Sequence, residues 1–184
     1  MKASAKSLRA RRARKIIRLA DEAVNMAVLA CLLFLLCCGC YSIWDSKQVY
    51  RKASSVEYEI YKPVKDNDLS FEQLKRMNKD VFGWITVYGT SINYPLVQGE
   101  DNWEYLNKDS EGKHSLTGAI FLDSRNSKEF DDYNSIIHGH HMAASAMFGD
   151  LDKFEDFGFF GEHRFGSIYC GGREYGLTFF AYIV

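Results

Sequence analysis

Three of the chain's five histidines stand within four positions, in Asn134-Ser135-Ile136-Ile137-His138-Gly139-His140-His141-Met142. An apolar pair running into His-Gly-His reads as a buried strand that carries polar side chains to the end of a sheet. Imidazole titrates nearest neutrality among the side chains, so proton transfer is the first chemistry to consider here. Alternation along a strand puts His138 and His140 on one face and His141 on the other. The residues alone leave three readings of His140 open. It is a proton donor, a satisfied structural imidazole, or half of a His138–His140 metal site completed by His114 or Asp123. No spacing fixes that further ligand, and no metal or other cofactor is expected. Cysteine–histidine catalysis needs spatial rather than sequence proximity, and Cys170 is the one thiol outside the N-terminal apolar run. Because it precedes Gly171-Gly172, Cys170 is expected to be a plain strand or turn residue, with Arg173 a solvated hairpin residue. Asp123 follows a strand and would either orient a neighbour or cap the Arg125 loop. His141 is read as a surface neighbour, and His114 and His163 as solvated.

The elements that must position these groups are short. Ser70 three residues before Gln73 is a capping-box pattern, and Phe71, Leu74 and Met77 follow at helical spacing, so a helix is predicted over 71–78. Trp84–Tyr88 is β-rich, Gly89-Thr90 is a turn, and 92–97 is a second strand in which Pro95 predicts an edge or a bulge. Asp101 would cap a short helix carrying Trp103 and Leu106. Strands are predicted at 118–122 and 135–139. A helix is predicted at 143–154 with Met147, Phe148, Leu151 and Phe154 on one face, and a further helical turn at 157–163. The aromatic residues between Phe154 and Phe165 read as core. Residues 167–170 and 174–184 flank Gly171-Gly172 as a hairpin. Short strands with interspersed helices indicate a mixed β-barrel rather than a βαβ sheet.

The N-terminal third is of a different kind. The net charge of −1 hides an asymmetry: residues 1–20 carry eight Lys/Arg and no acid, leaving 15 basic against 24 acidic side chains in the rest. Residues 23–44 form an apolar run long enough to cross a bilayer, with Tyr41 and Trp44 where an interfacial belt belongs. The basic cluster then orients the span with residues 1–22 in the cytoplasm and everything after about residue 45 outside. Nucleic-acid binding is not indicated, since no aromatic or Gly-rich segments interleave the basic residues. A cleaved signal peptide would have a shorter apolar core and an A-x-A-like site, which is absent, and too little apolar chain precedes Cys31 for a lipoprotein. Four of the five cysteines lie in the apolar run, so the outer part is not held by an internal disulfide. Residues 45–67 read as a stalk, ending near Lys62-Pro63 and a solvated Lys65-Asp66-Asn67-Asp68 turn, and residues 68–184 as the folded domain.

Several segments in order resemble one family. They are Asn78–Ile85, Gly89–Gln98, Asp101-Asn102-Trp103-Glu104-Tyr105-Leu106, Gly118–Asp123 and Asn134–Met142, followed by Met147-Phe148. Their wording is similar to that of the class B sortases, membrane-anchored cysteine transpeptidases of Gram-positive bacteria, and the similarity runs from about Asp68 onward. The resemblance implies an eight-stranded β-barrel with added helices, and a Cys–His–Arg site without a cofactor. It implies that the thiolate attacks a sorting signal near the C-terminus of a surface protein. The histidine then protonates the leaving amine, the arginine holds the oxyanion or substrate, and an amine of the cell-wall peptidoglycan precursor resolves the acyl-enzyme. His140 takes the position of the family's catalytic histidine, and Asn102 and Leu106 take positions lining its substrate groove.

Two departures accompany the resemblance. The position two before the catalytic histidine is commonly Tyr in the family and is His138 here, which bears on the groove and on His140. The family's Thr-Leu-Ser-Thr-Cys-like strand and the strand bearing its arginine have no counterpart in the chain. The expectation is therefore a mostly β, sortase-type barrel incomplete at its C-terminus, behind one N-terminal transmembrane helix. It would be inactive as a fragment and leave unpaired barrel edges. The alternative is a degenerate, non-catalytic, membrane-anchored binding or scaffold protein on the same fold.

Overall fold

The computed structural model describes residues 2–64 and 69–183, so the solvated turn expected at 65–68 lies outside the described residues. The chain divides into two compact units, residues 1–47 and 48–184. Helix α1, Lys2–Ala53, makes up the first unit and ends inside the second. It contains no proline, and its apolar stretch is rich in Ala and Leu, both strong helix formers. Residues Arg14–Ala53 are long and apolar enough to cross a membrane. At 1.5 Å per residue they extend about 60 Å, against about 30 Å for a bilayer's hydrocarbon core. Leu32, Leu33 and Phe34 are all exposed.

In the second unit the chain packs down at once. Ala53 is buried, and its carbonyl accepts the Tyr94 hydroxyl at 2.8 Å. Two 3-10 turns follow, Ser55–Glu57 and Glu59–Tyr61. Ser54 caps the first by accepting from the Val56 N–H, and Tyr58 stands edge-on to Tyr94. Helix α2, Leu69–Met77, buries Phe71 and Leu74 and sets Phe71 edge-on to Trp84 and Tyr169. It begins before Ser70, so that residue lies inside the first turn and is not the cap.

Six strands form one sheet in the order β4-β3-β2-β1-β5-β6. They are β1 Val81–Val87, β2 Asn93–Val97, β3 Ile120–Leu122, β4 Ile137–His138, β5 Phe165–Cys170 and β6 Arg173–Thr178. All neighbours are antiparallel except β2 and β3. Strand β1 is β-branched or aromatic at every position but Gly83, and across the interior strands Trp84, Tyr94, Leu96, Val97, Ile120, Phe121 and Leu122 are buried. The predicted class, mostly β with added helices, is the one observed.

Several local expectations are overturned. Pro95 lies on an interior strand, opposite Trp84. Its missing donor is tolerated because pairing with β3 starts only at Leu96. The irregularity in that ladder lies instead on β1, between Val81 and Gly83. The helix expected at 143–154 does not form. Ala144, Ser145 and Met147 have φ of 56°, 59° and 51°, a left-handed path that a right-handed helix cannot follow, and a 3-10 segment forms only at Gly149–Glu155. The helical turn at 157–163 is present as α3, Phe157–Glu162, capped by Asp156. The Gly171-Gly172 hairpin is also present, with φ of 56° and 75° at its two glycines, the left-handed pair that a type I′ turn requires. Its second strand stops at Thr178 rather than running on, and Phe180 and Ile183 are exposed.

Candidate active site

The end of the sheet at β3 and β4 opens into a cleft of about 630 Å3, lined by Asn102, Trp103, Leu106, Phe121, Arg125, Ile137, His138, Gly139, His140 and Phe148. All four residues singled out from the sequence, Asn102, Leu106, His138 and His140, therefore meet in one place. Loop geometry brings them there. The Asp101 carboxylate accepts the Trp103 and Glu104 N–H groups at 2.8 and 2.9 Å, the capping role expected of it, and starts the 3-10 turn Glu104–Leu106. That turn presses on Gly118, whose φ is 61°. A Cβ there would stand 2.5 Å from the Tyr105 carbonyl oxygen, so glycine is required for both conformation and space. The close approach delivers Leu106 to the cleft from one side and the Thr117 carbonyl from the other.

His140 is held by that carbonyl, with Nδ1 3.1 Å from the Thr117 oxygen. A carbonyl only accepts, so Nδ1 carries the hydrogen, and the neutral ring presents the lone pair of Nε2. Its own carbonyl accepts the Phe148 N–H at 3.0 Å, which fixes the backbone beside the ring and seats Phe148 in the cleft wall. An imidazole with one nitrogen pinned to the backbone and the other available, in a half-open cleft, is equipped to shuttle a proton.

His138 is held differently. Its ring stacks on Phe121 at 5.0 Å, and Nε2 lies 3.2 Å from Asp123 Oδ2. Asp123, at the end of β3, is 1% exposed and gathers five donors. Oδ1 accepts the Arg125 N–H at 3.0 Å and the Arg125 Nε at 2.9 Å. Oδ2 accepts the Arg125 Nη2 at 3.0 Å, the Asn102 Nδ2 at 2.7 Å and the His138 Nε2. The Arg125 guanidinium and N–H, with smaller help from His138 and Asn102, hold the carboxyl well below the usual carboxylate range. Asn102 in turn accepts the Ser124 N–H at 2.8 Å, so both ends of its amide are assigned by their partners. Asp123 thus fills both roles weighed for it, orienting neighbours and capping the Arg125 turn.

The other candidates lie elsewhere. His141 is exposed and pairs with Asp152 at 2.7 Å. His114 borders a separate depression with Val49, Lys52 and Leu116, away from the His138–His140 pair it was weighed with as a ligand. Among the described residues no group of three His, Cys, Asp or Glu is placed to hold a metal ion. His163 is half-buried rather than solvated, stacked on Phe159 at 4.0 Å. The aromatic group from Phe154 to Phe165 divides: Phe154 is buried among Phe159, Phe160 and Phe179, while Phe157 and Phe165 are exposed. Cys170 is buried on β5, opposite Gly83 and Arg173. Burial, and to a lesser degree the Glu129 carboxylate, push its thiol upward, away from the thiolate. Three strands separate β5 from β4, which places Cys170 roughly 19 Å from the histidines along the sheet. Trp103, Phe148 and the Thr117 carbonyl are the parts of the site that sequence reasoning did not single out.

A mostly antiparallel sheet with one parallel pair, carrying a histidine cleft at the end of its short strands, is a sortase-type arrangement, and comparison with known proteins narrows it further. No family model matches the chain. A sortase B of Listeria monocytogenes is 37% identical over 140 residues, 74% of this chain and 54% of that protein. The crystal structure of sortase B from Bacillus anthracis in complex with AAEK1 superposes with a TM-score of 0.61 at 32% identity, covering 77% of this chain and 71% of that one. A Staphylococcus aureus sortase B–substrate complex gives a TM-score of 0.56 at 34% identity, over 73% and 59%. The chain belongs to the class B sortases. It spans about half the length of the Listeria relative.

Proposed function

We propose that this chain supplies the histidine and substrate side of a sortase-type cysteine transpeptidase. Such an enzyme cleaves a sorting signal of surface proteins and joins them to an amine of the peptidoglycan precursor in a Gram-positive cell wall. The observation that carries the reading is His140, its Nδ1–H tied to the Thr117 carbonyl and its Nε2 available in the cleft that Asn102, Leu106 and His138 line. In the reaction the cysteine thiol's proton passes to His140 Nε2, the resulting thiolate attacks the scissile carbonyl, and Nε2 gives that proton to the departing amine. In the second half-reaction Nε2 takes a proton from the incoming amine. Leu106, Phe121 and Phe148 offer apolar contacts to an extended peptide, while Asn102 and His138 offer polar ones. The buried position of Cys170 supports its reading as a core residue and not the nucleophile, so the chain by itself binds the signal without turning it over.

The membrane arrangement belongs to the same proposal. Residues 1–22 form a cytoplasmic tail and 23–44 the span, and the extracellular part includes the expected stalk, whose residues from 48 on already pack as part of the folded unit. The single long apolar helix and the eight basic residues at its N-terminal side support it.

The test offers the purified chain a fluorogenic peptide bearing an Asn-Pro-x-Thr or Leu-Pro-x-Thr signal. Binding is expected, with Kd raised roughly tenfold by Leu106→Ala or Asn102→Ala. Cleavage abolished by Cys170→Ala would overturn the assignment of that thiol. Absence of binding to either peptide would favour a scaffold role on the same fold.

A further inference from the structure

Asp123 is buried, charged and assigned to no step of the reaction, yet three of the cleft's lining residues converge on it. The turn that follows it does not rest on the carboxylate's bond to the Arg125 N–H alone. The turn after β3 is secured separately, because Gln98 Nε2 donates to the Asp123 and Asn126 carbonyls at 2.8 and 2.6 Å. Asn126 donates to the Asn134 carbonyl at 2.8 Å and accepts the Ile136 N–H at 2.8 Å, closing the loop between β3 and β4. Beyond that cap, the carboxylate decides how the Asn102 amide and the His138 ring are turned. A carboxylate accepts and cannot donate, so Oδ2 forces the donor side of the Asn102 amide inward and places the His138 hydrogen on Nε2. The ring nitrogen left as an acceptor is then Nδ1 on His138 and Nε2 on His140. The two rings stand in one cleft with opposite tautomers, each set by a different acceptor.

We propose that Asp123 is a positioning residue of the peptide cleft, a single carboxylate that fixes the Asn102 amide and the His138 tautomer together and so sets the polar face presented to a bound peptide. The inference rests on the reading of this cleft as a peptide site. Arg125 completes the carboxylate's shell from the solvent side, with a side chain 79% exposed. Its charge balances that of the carboxylate, while Asn102 and His138 bond Oδ2 from the cleft side.

The test uses the full chain and two readouts. Long-range 1H–15N correlation spectra of the imidazoles report the tautomers directly, whether or not a peptide binds. In the unaltered chain His138 is expected as the Nε2–H form and His140 as the Nδ1–H form. In Asp123→Ala, His138 becomes a tautomer mixture while His140 keeps its form, which also certifies that the variant is folded. Should that variant not fold, Asp123→Asn preserves the shape and removes the charge, and there the His138 signature is expected to change while that of His140 holds. The second readout is the affinity for the sorting peptide. Asp123→Ala is expected to raise Kd about tenfold or more, but less than threefold in an Asn102→Ala/His138→Ala background, because its effect passes through those two side chains. An unchanged His138 tautomer in a folded Asp123 variant overturns the proposal, as does an undiminished effect of Asp123→Ala in the double-variant background. If no peptide binds the unaltered chain the proposed function fails, and the tautomer spectra still decide the role of Asp123.

Discussion

The two ends of the sheet are built on opposite terms. At the β5–β6 end the backbone is generous: six residue pairs run from Phe165 opposite Thr178 to Cys170 opposite Arg173. Yet most of β6 is exposed, and Phe165, Phe180 and Ile183 face solvent. At the β3–β4 end only two pairs form, but Ile120, Phe121 and Leu122 are all buried. There a polar side-chain network substitutes for the missing ladder. Ladder length and cohesion are therefore separate quantities in this protein. The candidate site sits where pairing is shortest, because a strand of two residues releases its chain early enough for His138 and His140 to be aimed by side-chain and carbonyl acceptors instead of by a ladder.

The largest test of that contrast is a pair of truncations. Phe121→Ala removes a ring that is 2% exposed and stacked beneath His138, and is expected to cost about 3–5 kcal/mol in chemical denaturation. Phe165→Ala, at a ring 57% exposed on the better-paired strand, is expected to cost less than about 1 kcal/mol. Equal losses would mean that cohesion follows the ladder after all.

A second test uses acid, because Asp150, like Asp123, is a buried and charge-paired carboxylate, here tying the turn between β1 and β2 to the 3-10 segment Gly149–Glu155. Burial by itself would raise the Asp150 pKa. The Lys153 ammonium at 2.8 Å, with Ser145 and the Ser91 N–H at 2.7 Å, outweighs burial and holds it down at about 2. A folded-state pKa below the unfolded one stabilises above the ordinary carboxylate value, and that stability is lost as pH falls through the folded value. Asp150 should therefore contribute roughly 2 kcal/mol near neutrality, vanishing between about pH 4 and pH 2. Asp123 adds to the loss in the same direction, since its pKa is also lowered. Urea titrations across that range should show a steep fall that Asp150→Asn flattens. An identical slope in the variant would remove Asp150 from the account.

What was legible beforehand follows from where the information resides. That His140, Asn102 and Leu106 belong together was legible through the family resemblance, which residue identity and order carry, and the structure brings them into one cleft; strands β1 to β5 were legible because apolar β-formers cluster between turn residues. Thr117 was not found because its contribution is a backbone carbonyl, which every residue type owns. The helix expected at 143–154 failed because apolar spacing there is helical while the φ angles are set by tertiary anchors. The Tyr94 hydroxyl accepts the Met147 N–H at 2.9 Å, and Ser91 bonds the Ser145 carbonyl. Neither contact is local, so no window of sequence contains it. Asp123 was half visible: a carboxylate after a strand suggested capping, but convergence of Asn102 and His138 on it depends on three segments meeting.

The smallest expected effect concerns Cys170, the one thiol of the second unit. If the β5–β6 end is well paired but weakly packed, its interior residue should be the place where local opening shows. Cys170→Ala removes one small buried group and is expected to cost about 1 kcal/mol. Reactivity is the sharper readout. Burial and the raised thiol pKa both slow alkylation of Cys170 in the folded state. Iodoacetamide labelling resolved peptide by peptide follows Cys170 apart from the four cysteines of the apolar run. Protection of Cys170 that persists until global unfolding would place β5 in the cohesive part of the sheet and confine the weak region to β6. Labelling at denaturant concentrations where Trp84 fluorescence is still native would show β5 and β6 opening together, by a local route that the β3–β4 end does not share.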